Sequence, residues 1–321
     1  MTATVRSEPP DVSVVAPVFN EAATLPELVD RIAAVLQARG GRFEIVLVDD
    51  GSTDATATVL EALQANHPAL RAVALSRNFG QSAAVCCGIF AARGRVVVTM
   101  DGDLQNPPEE IPRLLDALGP GVDVVTGRRA VRYERTWRWL GSRLVHWLAR
   151  ALIGANIEDF GGQFKAYRRD VVEATRTAWA PGKPFFALAV WLGFRVVEIP
   201  VRHEPRKVGR SRYDLTSLVR LNVDIITSFT TVPLALLAVL SAATGAAGLF
   251  GLAVCWWRAA GFGLCAALSL LLLGLSGVFF AAAALGVYLA RVYRTVAGGP
   301  TGYVLRRPEA DIREHAGDTD T

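Results

Sequence analysis

Two aspartates on either side of one glycine, Asp101-Gly102-Asp103, are the residues of this chain best suited to chemistry on an anion. They follow Val96-Val97-Val98-Thr99-Met100 and precede Leu104-Gln105-Asn106-Pro107-Pro108. A β-branched apolar run reads as a buried strand, and the proline pair ends the turn that follows it. Such a turn can present both carboxylates to one hard cation. Two anions this close are unfavourable out of water unless a divalent ion or another positive group compensates. Oxygen-ligated Mg²⁺ takes one or two carboxylates and completes its shell with substrate phosphates. A metal-diphosphate site is therefore the first expectation, with a solvated Asp-Gly-Asp loop as the plain alternative.

A second acidic turn, Asp49-Asp50-Gly51-Ser52-Thr53-Asp54, closes another apolar run. Neither turn makes a calcium loop. Counted from Asp50, Ala55 fills the sixth position, where glycine is needed, and counted from Asp101, Pro112 falls at the twelfth. No Gly-x-Gly-x-x-Gly follows the first strand and no Gly-x-x-x-x-Gly-Lys-Ser/Thr occurs, which removes the ordinary dinucleotide and P-loop readings.

The elements that must position these turns alternate. Strands are predicted over Val12 to Ala16, Glu44 to Val48, Arg71 to Leu75 and Arg95 to Met100, with Pro17-Val18-Phe19-Asn20-Glu21 as the loop after the first. Between them lie a helix with Leu25, Leu28, Ile32, Val35 and Leu36 on one face, a second with Val59, Leu60 and Leu63 inward, and a third from Gln81 to Ala92. Thr24 followed by Glu27 has the spacing of a capping box. This alternation predicts a mostly parallel α/β sheet covered on both faces. In such sheets ligands gather at the carboxyl ends of strands, so both acidic turns share one crevice.

The carboxyl-terminal third has a different composition. From Ser228 to Ala290 only Arg258 interrupts two apolar stretches, each longer than the about 20 residues a helix needs to cross a bilayer. Arg210, Arg212 and Arg220 precede them, and Arg291, Arg294, Arg306 and Arg307 follow. By the positive-inside rule both flanks are cytoplasmic and the Arg258 turn is the outer loop. Met1 to Asp11 is short and polar, so no cleavable signal is expected. The organisation expected is a catalytic domain over 1–213, an amphipathic segment over 214–228, a membrane hairpin over 229–292 and a tail over 293–321. Ser142 to Ile153 could also lie along the headgroups, or pack as an ordinary core helix. Cys86 and Cys87 are adjacent, and Cys255 and Cys265 fall in or near the spans. All four read as small buried hydrophobes in a reducing compartment. The net charge of +4 is modest, and its basic residues at the membrane end suit anionic headgroups or a phosphorylated lipid, with no nucleic-acid partner expected.

Several ordered motifs resemble glycosyltransferase family 2, and within it the dolichyl- or polyprenyl-phosphate hexose synthases. They are Pro17-Val18-Phe19-Asn20-Glu21, Val48-Asp49-Asp50-Gly51-Ser52-Thr53-Asp54, Leu75-Ser76-Arg77-Asn78-Phe79-Gly80 and Asp101-Gly102-Asp103-Leu104-Gln105-Asn106-Pro107-Pro108, followed by Asp159 to Arg169 and Arg206 to Tyr213. The resemblance implies a GT-A fold, a UDP- or GDP-linked sugar donor, a polyprenyl-phosphate acceptor and inversion at the anomeric carbon. It assigns Pro17, Phe19, Glu21, Val48 and Asp50 to the base and ribose pocket. Asp101, Asp103 and Gln105 would hold Mg²⁺ or Mn²⁺ against the diphosphate, and Arg128, Arg206 and Arg212 would contact phosphates. Arg212 stands where many relatives carry lysine, and Gly102 where alanine is common. Asp159 matches the family aspartate near the acceptor, as a base or as a positioning group. His203 could contact the acceptor, or be structural. The resemblance also allows self-association. A processive polysaccharide synthase would share the early motifs but carry a later Gln-x-x-Arg-Trp, which is absent. A non-catalytic membrane scaffold would have lost the metal carboxylates, and these are present.

Overall fold

The computed structural model describes residues 8–129, 162–179, 184–204, 239–243, 245–247, 250 and 262–296. Asp159, Arg206, Arg212, the segments 142–153 and 214–228, most of the first apolar stretch and the tail after 296 lie outside the described residues. Two compact units divide the chain, Met1–Asp214 with Pro300–Thr321, and Leu215–Gly299.

In the first unit the described residues form one seven-stranded sheet. Its strands are β1 (Val12–Val18), β2 (Phe43–Asp49), β3 (Leu70–Ala74), β4 (Val96–Thr99), β5 (Val124–Arg129), β6 (Lys165–Arg168) and β7 (Val196–Val201), in the order β3-β2-β1-β4-β6-β5-β7. Pairing is parallel throughout except at β6, which runs antiparallel to both β4 and β5. Because β6 is reversed against both neighbours, β5 and β7 again point the same way as β4. All six parallel strands thus end on one edge.

Side-chain alternation sorts the core into two layers. Val14, Ala16, Val18, Ile45, Leu47, Val98 and Met100 pack against α1 (Leu25–Arg39), α2 (Thr56–Asn66) and α4 (Ile111–Ala117). Val15, Val46, Val48 and Val97 face the other way. They pack against α3 (Gln81–Ala91), α5 (Arg169–Ala178) and α6 (Phe185–Trp191). The continuous apolar character of β1 and β2 follows, since neither face meets water.

Two local expectations are corrected. The first strand does not stop at Ala16 but continues through Pro17 and Val18, whose register partners are Val48 and Asp49. Val18 accepts from Asp50 N–H on the β2 side, and Val15 accepts from Met100 N–H on the β4 side. Pro17 therefore turns its missing donor toward β4, whose ladder with β1 ends at the Val15–Thr99 pair, so no hydrogen bond is lost. The capping box at Thr24 does not form. Thr24 has helical rather than extended dihedrals, and its hydroxyl donates to the Glu21 carbonyl, while Glu27 pairs with Arg31.

In the second unit α7 runs over Phe262–Val296. Within it Ala266–Gly286 is long and apolar enough to cross a membrane, its 21 residues spanning about 30 Å. Leu271, Leu273, Leu275, Val278, Phe279 and Phe280 are all at least half exposed, as side chains facing lipid would be. The Ser241 hydroxyl donates to the Gly277 carbonyl at 3.0 Å, satisfying a polar group on the short described helical segment before it.

Candidate active site at the strand ends

Four loops meet on the edge where the parallel strands finish, and hydrogen bonds lace them together in sequence. After β1, Asn20 takes a left-handed conformation with φ 56°, a strained state for a residue other than glycine. Its N–H donates to Ser52 Oγ, and its side-chain oxygen accepts Thr53 N–H at 2.8 Å. Glu21 N–H donates to Thr56 Oγ1. The loop after β2 closes on itself through Ser52 N–H to Asp49 Oδ1. It then reaches the loop after β3, where Asp50 accepts Phe79 N–H at 2.8 Å and Gly80 N–H at 2.9 Å on separate oxygens. Burial raises the Asp50 pKa, and these two N–H groups pull against that rise without cancelling it.

The acidic turn after β4 is held from both flanks. Gln81, the first residue of α3, donates its side-chain N–H to Asp101 Oδ1 at 2.6 Å, and Asn106 donates to Oδ2 at 3.3 Å. Asp103 Oδ1 accepts Gln105 N–H at 3.1 Å, and buried Leu104 sits at φ 61°. The turn thus has a fixed shape before any ligand arrives. The exit of β7 is tied to it as well, because Glu204 N–H donates to the Gln105 carbonyl at 2.8 Å. Beside that bond the Glu110 carboxylate, 2 % exposed, accepts Arg202 Nε at 2.7 Å and Arg113 Nη1 at 2.5 Å. Burial alone would raise the Glu110 pKa, but the two guanidinium groups bring it below the ordinary glutamate range.

Pro17, Phe19, Glu21, Val48, Asp50, Asp101, Gly102, Asp103, Gln105 and Arg128 accordingly stand on or beside one edge of one sheet. Arg128 is exposed near the end of β5, and Pro17 and Val48 are strand-end residues paired in register. Arg206, Arg212 and Asp159 lie outside the described residues, and His203 is partly buried just beyond β7. Gln81, which fixes Asp101 from one side, carries no sequence signal beyond following a motif, whereas Asn106, which fixes it from the other, lies inside the Asp101 to Pro108 motif. Lys165 belongs to the Asp159 to Arg169 motif, but its burial is not signalled by the sequence. It is fully buried opposite Thr99 and Thr126, with its ammonium 4.3 Å from the centre of the Phe186 ring.

The donor set suits a hard divalent cation. Asp101 and Asp103 supply two carboxylates from one short turn and Gln105 an amide oxygen. The hydrogen bonds on Asp101 orient its oxygens while leaving lone pairs for an ion. Among the described residues no group of three or more acidic, histidine or cysteine side chains forms a cage by itself. Two carboxylates are the number Mg²⁺ uses when phosphates and water complete its shell.

A GT-A sheet, carrying an Asp-x-Asp turn at the end of its fourth strand, defines the class as a glycosyltransferase-type chain. The profile of glycosyl transferase family 2 matches residues 13–176, and the chain belongs to that family. It is similar to the undecaprenyl-phosphate 4-deoxy-4-formamido-L-arabinose transferase of Pseudomonas aeruginosa (strain LESB58). Identity is 41 % over 304 residues, covering 92 % of this chain and 89 % of that one. The protein of the same name from Klebsiella pneumoniae subsp. pneumoniae is 36 % identical over 316 residues, covering 94 % and 96 %. Among solved structures, glucosyl-3-phosphoglycerate synthase from Mycobacterium tuberculosis, in complex with Mn²⁺, UDP and phosphoglyceric acid, shares the fold. Its TM-score is 0.50 at 23 % identity, covering 68 % of this chain and 76 % of that one.

Proposed function

We propose that this chain moves one sugar from a nucleotide diphosphate sugar to the phosphate of a polyprenyl-phosphate carrier at the crevice above β1, β2 and β4. The observation that carries the reading is the run of hydrogen bonds that joins the loop after β1 to that after β2, the loop after β2 to that after β3, and Gln81 beyond it to Asp101 of the acidic turn. The relatives are named for a modified pentose on undecaprenyl phosphate, whereas the motifs suggested a hexose. The cargo is a single sugar, and 4-deoxy-4-formamido-L-arabinose is the first candidate.

In this reading Pro17, Phe19, Glu21, Val48 and Asp50 receive the base and ribose. Asp101, Asp103 and Gln105 would hold Mg²⁺ or Mn²⁺, which would neutralise charge developing on the departing diphosphate. Arg128, Arg206 and Arg212 add positive charge around the phosphates. The acceptor phosphate has a second pKa near about 6 and is already largely a dianion at neutral pH, so a strong base is not required. One of its oxygens attacks the anomeric carbon as the bond to the diphosphate oxygen breaks, with inversion. Asp159 then has the task of orienting the acceptor, or of accepting a proton where one remains. The chain enters the bilayer through Ala266–Gly286 and a preceding span, with the catalytic unit and both termini on the cytoplasmic side.

The test uses the full-length chain in detergent or vesicles with undecaprenyl phosphate, Mg²⁺ and a panel of UDP- and GDP-linked sugars that includes UDP-4-deoxy-4-formamido-L-arabinose. A single-sugar lipid phosphate with release of nucleoside diphosphate is the expected product. Polymer would identify a processive synthase, and no product with any donor would leave a scaffold.

A further inference from the structure

Val97 of β4, Tyr167 of β6 and Val124 of β5 form one row of the sheet face that packs on α3, α5 and α6. One pleat further toward the strand ends, the row on that same face turns polar. Thr99 stands opposite Lys165, Lys165 opposite Thr126, and Thr126 beside Glu198 of β7. Thr99 and Thr126 are fully buried and Lys165 is 2 % exposed. Among the described residues Lys165 is the only buried basic side chain, whereas Asp49, Asp50 and Glu110 are buried acids. A lysine taken out of water is costly unless opposing charge meets it. The Phe186 ring, 4.3 Å from the ammonium, offers only part of that compensation.

The acidic turn begins one pleat beyond Thr99. Met100 N–H donates to the Val15 carbonyl, and the Met100 side chain joins the opposite core layer, so the chain is still extended there and Asp101 turns to the Lys165 side. Gln81, which opens α3 on that side of the sheet, reaches Asp101 at 2.6 Å and agrees with this placement. Lys165 and Asp101 are thus diagonal neighbours across β6 and β4. Such residues stand about 7–8 Å apart, within reach of a long side chain. Glu198 is two strands from Lys165, about 10 Å away, so the acidic turn is nearer to the ammonium's strand than that carboxylate is.

We infer that Lys165 is a buried counter-charge to the Asp101-Gly102-Asp103 turn, which weakens the hold of the turn on a free divalent cation and strengthens its hold on the nucleotide diphosphate. The inference rests on the proposed metal-diphosphate site and concerns how that site divides its affinity between the two. Buried beneath the turn, the ammonium touches neither ligand and acts through its charge. A positive charge there opposes a cation and favours an anion, so its removal moves the two affinities in opposite directions. Loss of packing alone would loosen both. A carboxylate from elsewhere in the chain that also meets the ammonium is left uncompensated by the same removal, and it pushes both affinities in those same directions.

The experiment measures Lys165→Met, Lys165→Gln and Lys165→Arg in the full-length chain. Mn²⁺ binding without nucleotide is followed by electron paramagnetic resonance, and UDP and GDP binding in EDTA by calorimetry. Lys165→Met keeps the length of the side chain and removes its charge. It is expected to tighten Mn²⁺ about 3- to 10-fold and to weaken the preferred nucleotide by a similar factor. Lys165→Gln should give the same opposed pair of shifts, and it carries the test if the methionine variant does not fold. Lys165→Arg keeps the charge and should show neither shift. Any result but opposed shifts in the neutral variants, or the same shifts in the arginine variant, would overturn the inference. The proposed function fails separately, if the parent binds neither Mn²⁺ nor nucleotide and makes no glycolipid, and the inference falls with it. A parent that binds both while the neutral variants show no opposed shifts sinks the inference alone.

Discussion

Gly51 offers the sharpest test of how the strand-end loops are assembled. It has φ +71°, and a Cβ there would stand 2.5 Å from the Arg77 carbonyl carbon, 2.6 Å from Asn78 N and 2.8 Å from Arg77 Cα. All three are backbone atoms, so no rotamer change relieves the clash. In Gly51→Ala the left-handed conformation costs about 1–2 kcal/mol. Displacing the 76–80 loop from its packed position adds about 1–3 kcal/mol. A total near about 3 kcal/mol corresponds to a fall in Tm of about 6–12 °C for a unit of this size. The same displacement pulls Phe79 and Gly80 N–H away from Asp50, so nucleotide affinity should fall as well. Scanning fluorimetry of the full-length chain gives the first number and UDP or GDP titration the second. Gly119→Ala is the control, since nothing lies within 4 Å of a Cβ there and its φ is not positive. It should leave Tm within about 1 °C of the parent or raise it slightly. If Gly51→Ala matched Gly119→Ala in both measurements, the proposed packing of the two loops would be wrong.

Glu110→Gln should remove an acid-sensitive component of stability. The folded pKa of Glu110 is depressed, so its stabilising contribution is full above the ordinary glutamate value of about 4.3 and is lost as pH falls through the lower folded value. The parent's Tm should therefore drop more steeply than the variant's below about pH 4, and parallel curves would refute the pairing with Arg113 and Arg202. Asp50 has the opposite sign, because a raised carboxyl pKa means that folding favours its neutral form, and that contribution grows as pH falls. Asp50→Asn sets an amide N–H against Phe79 or Gly80 N–H and should cost about 2–3 kcal/mol, read as a lower Tm; an unchanged Tm would contradict the two bonds drawn to its carboxylate. Burial pushes the Cys86 thiol up to about 12, so it should resist iodoacetamide at about pH 8 in the folded chain and react on denaturation, as peptide mass mapping would report. Rapid labelling of Cys86 in the native protein would refute its place under α6.

Much of this architecture was legible because the sequence carries periodic signals for it. The alternation of apolar runs with helical faces gave the sheet, and the loop motifs gave the edge at which the acidic turns meet. What stayed hidden depended on partners far apart in the chain. Glu110 looks like a solvated residue after two prolines until Arg202, 92 positions later, closes on it. The ends of β1 and of the expected capping box were misjudged for a related reason. Proline is tolerated at position 17 only because the β4 ladder has already ended there, and Thr24 bonds backward to Glu21 rather than forward into α1. The reversal of β6 has no local mark either, since nothing in Lys165-Ala166-Tyr167-Arg168 specifies which way the strand runs against its neighbours. Gln81 shows the limit at the site itself, as a helix-opening residue whose value lies in reaching Asp101 across 20 positions.

The most direct test of the proposed chemistry is the rate of glycolipid formation by Asp103→Ala, and by Asp101→Ala beside it, at saturating Mg²⁺ and with the donor on which the parent works. Both variants should fold and insert as the parent does. Each should lose about 100-fold or more in kcat, because the charge on the departing diphosphate is no longer met by a bound cation. Either variant working at the parental rate, with or without divalent ions, would contradict the assignment of this turn as the place where the sugar leaves its nucleotide.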